Sequence, residues 1–204
     1  MLEQLIPFLT ASILLTISPG PDLIYVLVRS MAYGYKQGIV TATGLVSGIL
    51  IHTSLVAFGV SALIKQSDQI FLFIKILGAL YLLYLAYQVY KSDARIAFSA
   101  EGIGQKSMSK LFRQGFIMNV LNPKVSIFFL AFFPGFLWDP EGNTVLQFYF
   151  LGAIFILQAL VIFSAVAISA HKISTYIKSH PHAGIFLKWM QIVIFILIAV
   201  LILL

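Results

Sequence analysis

The sequence contains no cysteine among its 204 residues, and only 10% of them are charged. Without cysteine, the chain can form no disulfide, no thiolate metal site and no thiol nucleophile. So few charged side chains cannot cover a surface in water, because soluble domains carry about 25% charged residues. Instead, 60% of the residues are hydrophobic. This composition predicts that the surface of the protein faces lipid.

The motifs of common enzymes are missing as well. The sequence has no nucleotide-binding glycine loop, no His-Glu-x-x-His and no Gly-x-Ser-x-Gly, so catalysis by those routes is not expected. We therefore predict no enzyme activity, no cofactor, no bound metal and no nucleic-acid partner. The first five residues include no basic side chain, so the first apolar segment is predicted to remain as a helix rather than be cleaved as a signal peptide.

Apolar stretches long enough to cross a bilayer, which takes about 20 helical residues, account for most of the chain. They are continuously apolar, which favours helices over the alternating strands of a membrane barrel. The predicted fold is all-α, with residues 1–204 forming a single transmembrane domain. The six predicted transmembrane helices are residues 5–28, 39–64, 70–90, 111–138, 145–170 and 184–204.

Basic residues concentrate in alternate loops between these stretches. They are Arg29 and Lys36 in the first loop, Lys65 and Lys75 in the second, Lys91, Arg95, Lys106, Lys110 and Arg113 in the third, none in the fourth, and Lys172 and Lys178 in the fifth. Because positive loops are retained in the cytoplasm, the first, third and fifth loops are predicted to be cytoplasmic. Both termini are then predicted to be outside.

Two of the six stretches, the first and the fourth, are interrupted by helix-breaking residues. The first contains Pro19, Gly20 and Pro21, and the fourth contains Asn122 followed by Pro123. Each break lies in the first helix of a group of three, and an odd number of spans per group places the groups in opposite orientations. This pattern predicts a 3+3 inverted repeat, with halves of about residues 1–95 and 105–204, in which the discontinuous helices meet at a substrate site.

Two charged residues adjoin the breaks: Asp22 after the first and Lys124 after the second. A charge at the centre of a bilayer costs roughly 3 kcal/mol or more unless it is paired or hydrated, so such residues usually serve a function. Their opposite signs suggest that they face each other. One interpretation is a substrate site, and the other is a buried ion pair that only holds the two halves together.

Two further spans carry candidate residues. Gly44, Gly48 and His52 share one face of the second span, where the glycines predict close helix packing. His52 is interpreted either as a hydrogen-bonded packing residue or as a proton or ligand contact. In the third span, Tyr81 follows Gly78 and is a candidate to offer its hydroxyl to a central cavity.

These motifs together resemble the lysine exporter (LysE) superfamily, and within it the homoserine/threonine (RhtB-type) exporter branch. The resemblance covers about residues 5–135 and depends on the order and spacing of the motifs. These are Ser-Pro-Gly-Pro-Asp at 18–22, the glycine and histidine stripe at 44–52, Gly-x-x-Tyr-Leu at 78–82, Phe-x-x-Gly at 112–115 and Asn-Pro-Lys at 122–124. The resemblance implies a small inner-membrane exporter of amino acids or their derivatives, driven by the proton gradient.

The sequence then supports a mechanism as a hypothesis. Lys124 binds the carboxylate of an amino acid, Asp22 binds its ammonium group, and unwound carbonyls around Gly20 and Asn122 orient it. Asp22, with His52, also carries the proton that is exchanged for substrate. The alternative is an exporter of metal or inorganic cations, although the membrane region offers few ligands for a soft cation. The features are compatible with a homo-oligomer.

Overall fold

The computed structural model of the protein describes residues 2–60, 68–93, 104–180 and 182–203, and these ranges contain helices and no strand. The helices are α1 (Leu2–Ile17), α2 (Pro21–Tyr33), α3 (Tyr35–Leu55), α4 (Asp68–Lys91), α5 (Met108–Val120), α6 (Pro123–Ile127), α7 (Thr144–Ile168), α8 (Ala170–Ser179) and α9 (Ala183–Leu203). A π-helical turn, Val56–Val60, extends α3, and α6 continues through a π-helical turn, Phe128–Phe132, and a 3₁₀ turn, Phe133–Phe136.

The lengths of these helices confirm the predicted six-span architecture. Four of them, α3 with part of its π-helical turn, α4, α7 and α9, are long and apolar enough to cross a membrane singly. The axes of α1 and α2 differ by 55°, and those of α5 and the helical segment beginning at Pro123 differ by 48°. Each bent pair forms one span with a break inside it. The first and fourth spans are therefore the discontinuous ones, as the sequence predicts.

The surface of α7 shows why the protein needs lipid around it. Leu146, Leu157, Val161 and Ile168 are each between 64% and 69% exposed, and they recur at helical spacing on one face of α7. Such a continuous stripe of large apolar side chains is not compatible with water over the length of a 25-residue helix. This face of α7 contacts the acyl chains of the bilayer.

The two interruptions lie at prolines. Pro21 is the first residue of α2, and Pro123 is the first residue of α6. Proline suits the first position of a helix because its missing N–H would have no partner there. It also disfavours helical conformation in the residue before it, which separates each helix from its predecessor. A single sequence feature thus ends one helix and starts the next.

The second span packs closely against α5 through glycines on both helices. A Cβ atom at Gly44 would collide with the backbone of Phe112, and one at Gly48 would lie 2.6 Å from the Asn119 side-chain oxygen. A Cβ atom at Gly115 would likewise collide with the Thr41 carbonyl on α3. These contacts confirm that the glycines of α3 form a packing seam. The seam fixes the position of α5, and therefore of the break that follows it.

The remaining spans pack in pairs across the molecule. The second span contacts the fifth (α3 with α7), and the third contacts the sixth (α4 with α9). Lys188 of α9 also donates a hydrogen bond of 2.7 Å to the Ser92 carbonyl at the end of α4. The first and fourth spans meet at their breaks. Each of the first three spans thus contacts the span three places later in the chain.

Several predictions about loops are wrong. Arg29 was assigned to the first loop, but α2 continues to Tyr33 and only Gly34, at φ 85°, separates it from α3. Arg29 is instead fully buried, with 0% of its surface exposed. A glycine at positive φ makes this one-residue connection possible, and the hydropathy pattern does not reveal it.

Assignments in the second and fifth loops also differ from the structure. Lys75 lies inside α4 rather than in the second loop, and it lines a cavity of about 250 Å³ between α4, α9 and the fourth span. Lys65 falls outside the described residues. The fifth loop contains α8, a short amphipathic helix that begins directly after α7. Most of the third loop, residues 94–103, also falls outside the described residues.

Candidate functional site

The two helix breaks face each other across a cavity of about 20 Å³. A volume of this size holds about one water molecule, so the cavity has no room for an amino acid in this conformation. Both charged residues predicted from the sequence line it. The lining residues are Leu15, Thr16, Asp22, Leu23, Ile49, Asn119, Lys124, Val125, Phe155, Ala159 and Phe163.

Asn122 links the two breaks through both ends of its amide group. Its Nδ2 donates a hydrogen bond of 2.8 Å to Oδ2 of Asp22. Its Oδ1 accepts a hydrogen bond of 3.0 Å from the backbone N–H of Lys124, which caps the N-terminus of α6. Asparagine is among the best residues for this capping position. The cap therefore orients the amide so that its donor points at the carboxylate of the other half.

Lys124 binds the main chain that the first break leaves free. Its Nζ donates hydrogen bonds of 3.0 Å to the Leu15 carbonyl and 3.1 Å to the Ser18 carbonyl. Because α1 ends at Ile17, these carbonyls lack partners within a continuing helix. An ammonium group has three donors, so Lys124 keeps one beyond these two bonds. A Cβ atom at Gly20 would lie 3.3 Å from Nζ, and glycine there leaves room for the ammonium.

The two charges share one cavity without forming an ion pair. Asp22 bonds to Asn122, and Lys124 bonds to two main-chain carbonyls. The prediction that opposite charges from matching breaks lie together agrees with this placement. The interpretation as a direct ion pair between the halves does not, because neutral amide and carbonyl groups lie between them. Asn122 and Lys124 each bond to groups of the first span, so both join the first span to the fourth.

Acceptors without a hydrogen bond remain on the cavity wall. Oδ1 of Asp22 and Oδ1 of Asn119 are both buried and accept no hydrogen bond from the protein. A buried acceptor that lacks a partner costs about 1–3 kcal/mol, and a carboxylate oxygen costs more. Both oxygens belong to residues that line the cavity. A cationic group with several N–H donors would satisfy both of them.

His52 lies behind Asn119 rather than on the cavity wall. Its Nε2 is 3.1 Å from the Asn119 carbonyl, and its ring centroid is 5.6 Å from that of Phe129. The side chain is 4% exposed. The structure therefore shows the hydrogen-bonded packing role that the sequence suggested, and it connects His52 to the cavity only through Asn119. A proton-carrying role for His52 stays a prediction.

Tyr81 and the carbonyls of Gly20 and Asn122 do not have the roles that the sequence predicted. Tyr81 is half-buried on α4, with its ring 6.0 Å from that of Tyr84, and it is not among the residues that line the cavity. The Gly20 carbonyl accepts the N–H of Ile24, and the Asn122 carbonyl accepts those of the first turn of α6. Both carbonyls are used because each one precedes a new helix. The unwound carbonyls at the site are those of Leu15 and Ser18, which Lys124 binds.

Sequence reasoning missed three polar residues of the site. Asn119 lies within the second break motif, and its position there was a usable signal. Thr16 lines the cavity, and Gln158 of α7 donates a hydrogen bond of 3.0 Å to the Thr16 hydroxyl. Thr16 is the second-last residue of α1 and so adjoins the first break, which was a usable signal as well. Gln158 lies within the uninterrupted α7, where polar residues are common bonding partners between helices, so its position gave no such signal.

Packed aromatic rings close the cavity toward the N-terminus of α1. Phe155 lines the cavity, and its ring is 6.5 Å from Phe8, a residue 0% exposed. Phe8 in turn contacts Phe133 and Phe136 at 5.4 and 5.3 Å between centroids. A cluster of this kind excludes water without offering polar groups to a solute. We call these four residues the aromatic closure.

Polar contacts close the opposite end, where α2 and α5 approach each other. The Tyr25 hydroxyl donates a hydrogen bond of 2.8 Å to Oε1 of Gln114, and Lys106 donates to the same oxygen. One turn farther along α2, Arg29 bonds to the Gly104 carbonyl at 2.9 Å. The two ends of the cavity are thus closed by different chemistry, apolar at one end and hydrogen-bonded at the other. We call Tyr25, Gln114 and Lys106 the polar closure.

Among the described residues, no three His, Cys, Asp or Glu side chains gather to form a metal site. The polar groups of the cavity are one carboxylate, one ammonium group, one hydroxyl and one amide. This set combines an acceptor and a donor of opposite charge within a small space. It is the combination that a zwitterion requires.

Comparisons with known proteins agree with this arrangement. Residues 13–204 match the family described as LysE type translocator. The homoserine/homoserine lactone efflux protein of Salmonella typhimurium is 32% identical over 171 residues, which cover 84% of this chain and 82% of that protein. The leucine efflux protein of Enterobacter sp. is 28% identical over 172 residues, covering 84% and 82%. No solved structure matches the chain.

Proposed function

Because this chain belongs to the LysE type translocator family, we propose that it is a secondary exporter that moves amino acids or their derivatives out of a bacterial cytoplasm. It is a membrane transporter and not an enzyme. Two similar proteins are named for the efflux of homoserine, homoserine lactone and leucine, all of which carry an α-amino group. The observation that carries the proposal is the single cavity between the breaks, with Asp22 and Lys124 on its wall.

The ammonium group of the substrate binds at the buried acceptors. Oδ1 of Asp22 and Oδ1 of Asn119 have no partner in the protein, and an ammonium group offers three donors. The carboxylate binds the remaining donor of Lys124, which the Leu15 and Ser18 carbonyls hold in place. Asn122 and Gly20 shape the site, the first by orienting Asp22 and the second by leaving space for Lys124. Tyr81 is not part of the proposed site.

Transport proceeds by alternating access between the two closures. The cavity of about 20 Å³ is too small for an amino acid, so the halves must separate at one end and then at the other. The second span contacts the fifth, and the third contacts the sixth. An inverted repeat with halves 1–95 and 105–204 would produce these contacts, and they therefore support this motion. The helix breaks act as the common axis.

Proton exchange drives export in this proposal. Asp22 takes a proton from outside when substrate leaves, and releases it inside before the next substrate binds. Its second oxygen is held by Asn122 in both steps, so the free oxygen carries the proton. His52 contributes through its contact with the Asn119 carbonyl. Lys36 at the start of α3, the basic third loop and the basic residues of α8 support an orientation with the polar closure in the cytoplasm and with the aromatic closure and both termini outside the inner membrane.

Competition for uptake into proteoliposomes tests the binding geometry. The competitors are leucine, leucinamide, which lacks the carboxylate, and isocaproate, which lacks the amine. For the wild-type protein, leucine is expected to be the strongest of the three competitors. In Asp22→Asn, the preference for leucine over isocaproate should fall by about tenfold or more. In Lys124→Met, the preference for leucine over leucinamide should fall by the same factor. A bond to a charged group is worth about 1.5–3 kcal/mol, which corresponds to this loss.

Matched substitutions at exposed positions serve as controls. Asp139→Asn and Lys110→Met make the same chemical changes outside the cavity and should keep the wild-type order of competitors. If both cavity variants fold and also keep that order, the assignment of Asp22 and Lys124 to the two ends of the substrate is refuted.

A further inference from the structure

Arg29 is a buried cation that the central site does not use. It is 0% exposed and lies seven residues after Asp22 on α2. Residues seven apart share one face of an α-helix, about 10 Å apart along its axis. Arg29 therefore lies on the same side of α2 as Asp22, about two turns away from it and one turn beyond Tyr25 of the polar closure. In the proposed orientation, this position is on the cytoplasmic approach to the cavity.

The partners of Arg29 are neutral groups. Nη2 donates a hydrogen bond of 2.6 Å to Oε1 of Gln37, and Nη1 donates one of 2.9 Å to the Gly104 carbonyl. Nε is buried and has no hydrogen-bond partner. None of the described carboxylates forms an ion pair with it. The guanidinium carbon also lies 4.8 Å from the centroid of the Tyr33 ring. A buried cation whose described partners are all neutral is costly to the fold, so an anionic partner is favoured here.

The surroundings of Arg29 add further positive potential. Gln37 is the third residue of α3, so the guanidinium lies beside a helix N-terminus, where anions are favoured. Lys106 lies nearby, bonded to Gln114 of the polar closure. A guanidinium presents a planar fork of donors that matches a carboxylate better than it matches two separate carbonyl oxygens. The group best suited to this place is a carboxylate.

We propose that Arg29 is an inner carboxylate site, which receives the carboxylate of the substrate from the cytoplasm before it reaches Lys124. This inference rests on the proposed function and adds a second binding step to it. The incoming carboxylate takes the place of the Gly104 carbonyl on Arg29. The carboxylate is then held between α2 and the N-terminus of α3, where Gln37 lies, before it moves on to Lys124.

Transport measured separately from each face of the membrane distinguishes this site from the central one. Everted membrane vesicles present the cytoplasmic face to added substrate, and right-side-out vesicles present the outer face. The probes are L-leucine and L-leucinamide. Arg29→Gln can still donate to the Gly104 carbonyl, but it cannot pair with a carboxylate. We expect the KM of leucine at the cytoplasmic face to rise about tenfold or more, with little change for leucinamide at that face or for leucine at the outer face.

A second variant and a control keep the test decisive. Gln37→Glu places a permanent carboxylate against Arg29, so it should keep the fold and compete with leucine at the cytoplasmic face. Arg113→Gln makes the matched change at an exposed position of α5 and should have no such effect. Lys124→Met should raise the KM of leucine at both faces.

The possible results divide cleanly between the two proposals. If Arg29→Gln and Gln37→Glu lower the transport of leucine and leucinamide equally, Arg29 is only a structural tie and the inner carboxylate site is refuted. Equal KM values in wild type and both variants would also refute it. If wild type transports neither probe nor any other amino acid from either face, the proposed function itself fails, and the inner site fails with it.

Discussion

The hydrogen bond between Asn122 and Asp22 gives the sharpest test of how the two halves are joined. In Asn122→Asp the donor Nδ2, 2.8 Å from Oδ2 of Asp22, is replaced by a carboxylate oxygen. The new carboxylate can still accept the backbone N–H of Lys124, because aspartate also caps helices well. The substitution therefore changes the contact between the halves and leaves the start of α6 intact.

The expected cost of this change is large. Two unit charges about 4 Å apart repel by about 4 kcal/mol at an effective dielectric constant of about 20. The lost bond to a charged group adds about 1.5–3 kcal/mol. The sum is comparable to the lower end of typical folding stabilities, which are about 5–15 kcal/mol. For the repulsion alone, the scaling of soluble domains of this length predicts a fall in Tm of about 8–16 °C.

A charge swap then separates the structural role of the pair from its role in transport. In the double variant Asp22→Asn with Asn122→Asp, the new amide at position 22 donates to the new carboxylate at position 122. Thermal unfolding in detergent should show most of the lost Tm recovered. Transport in proteoliposomes should stay low, because the carboxylate oxygen that faces the cavity is no longer at position 22.

Two results would refute this reasoning. A single Asn122→Asp variant as stable as wild type would mean that the bond does not join the halves. A double variant that recovers both stability and transport would mean that the pair is only a structural lock, with no substrate role for Asp22.

Three further predictions concern the packing seam, the aromatic closure and the proton. Gly44→Ala should abolish folded protein in size-exclusion chromatography because its Cβ meets the backbone of the facing helix, whereas Gly135→Ala, with nothing within 4 Å, should be neutral; equal yields would contradict the seam. Phe8→Ala should lower the free energy of unfolding by about 3–5 kcal/mol. It should also speed the reaction of a thiol reagent, added from outside, with a single Thr16→Cys in this cysteine-free chain; an unchanged labelling rate would contradict the closure. His52→Gln can keep the bond to the Asn119 carbonyl, so it should retain substrate exchange and lose stimulation by a pH gradient; full stimulation would remove His52 from the proton path.

The sequence predicted the architecture well because membrane spans are encoded by long-range composition. Continuous apolar stretches marked the spans, and Pro21 and Pro123 marked where two of them break. The residues beside those breaks, Asp22 and Lys124, line the cavity as expected. Charge and proline inside an apolar span are both costly, so each stands out in the sequence without any knowledge of the fold.

The contacts within the site were less predictable, because they depend on how helix ends are completed. Opposite charges beside matching breaks suggested that Asp22 and Lys124 face each other, with a direct ion pair as one of two interpretations. In the structure each of them bonds to a neutral partner at a helix terminus. Arg29 was placed in a loop since its charge suggested water, and the one-residue turn at Gly34 buries it instead. Thr16 required the fold to bring it to the cavity.

The most direct test of the central claim is transport by the purified protein in liposomes. Efflux of a panel of labelled amino acids, including homoserine and leucine, is measured with and without an imposed pH gradient, with inorganic cations as a separate arm. The account predicts gradient-stimulated efflux of one or a few amino acids and its loss in folded Asp22→Asn and Lys124→Met. Absence of amino acid transport by wild type, or efflux of a metal cation instead, would contradict it.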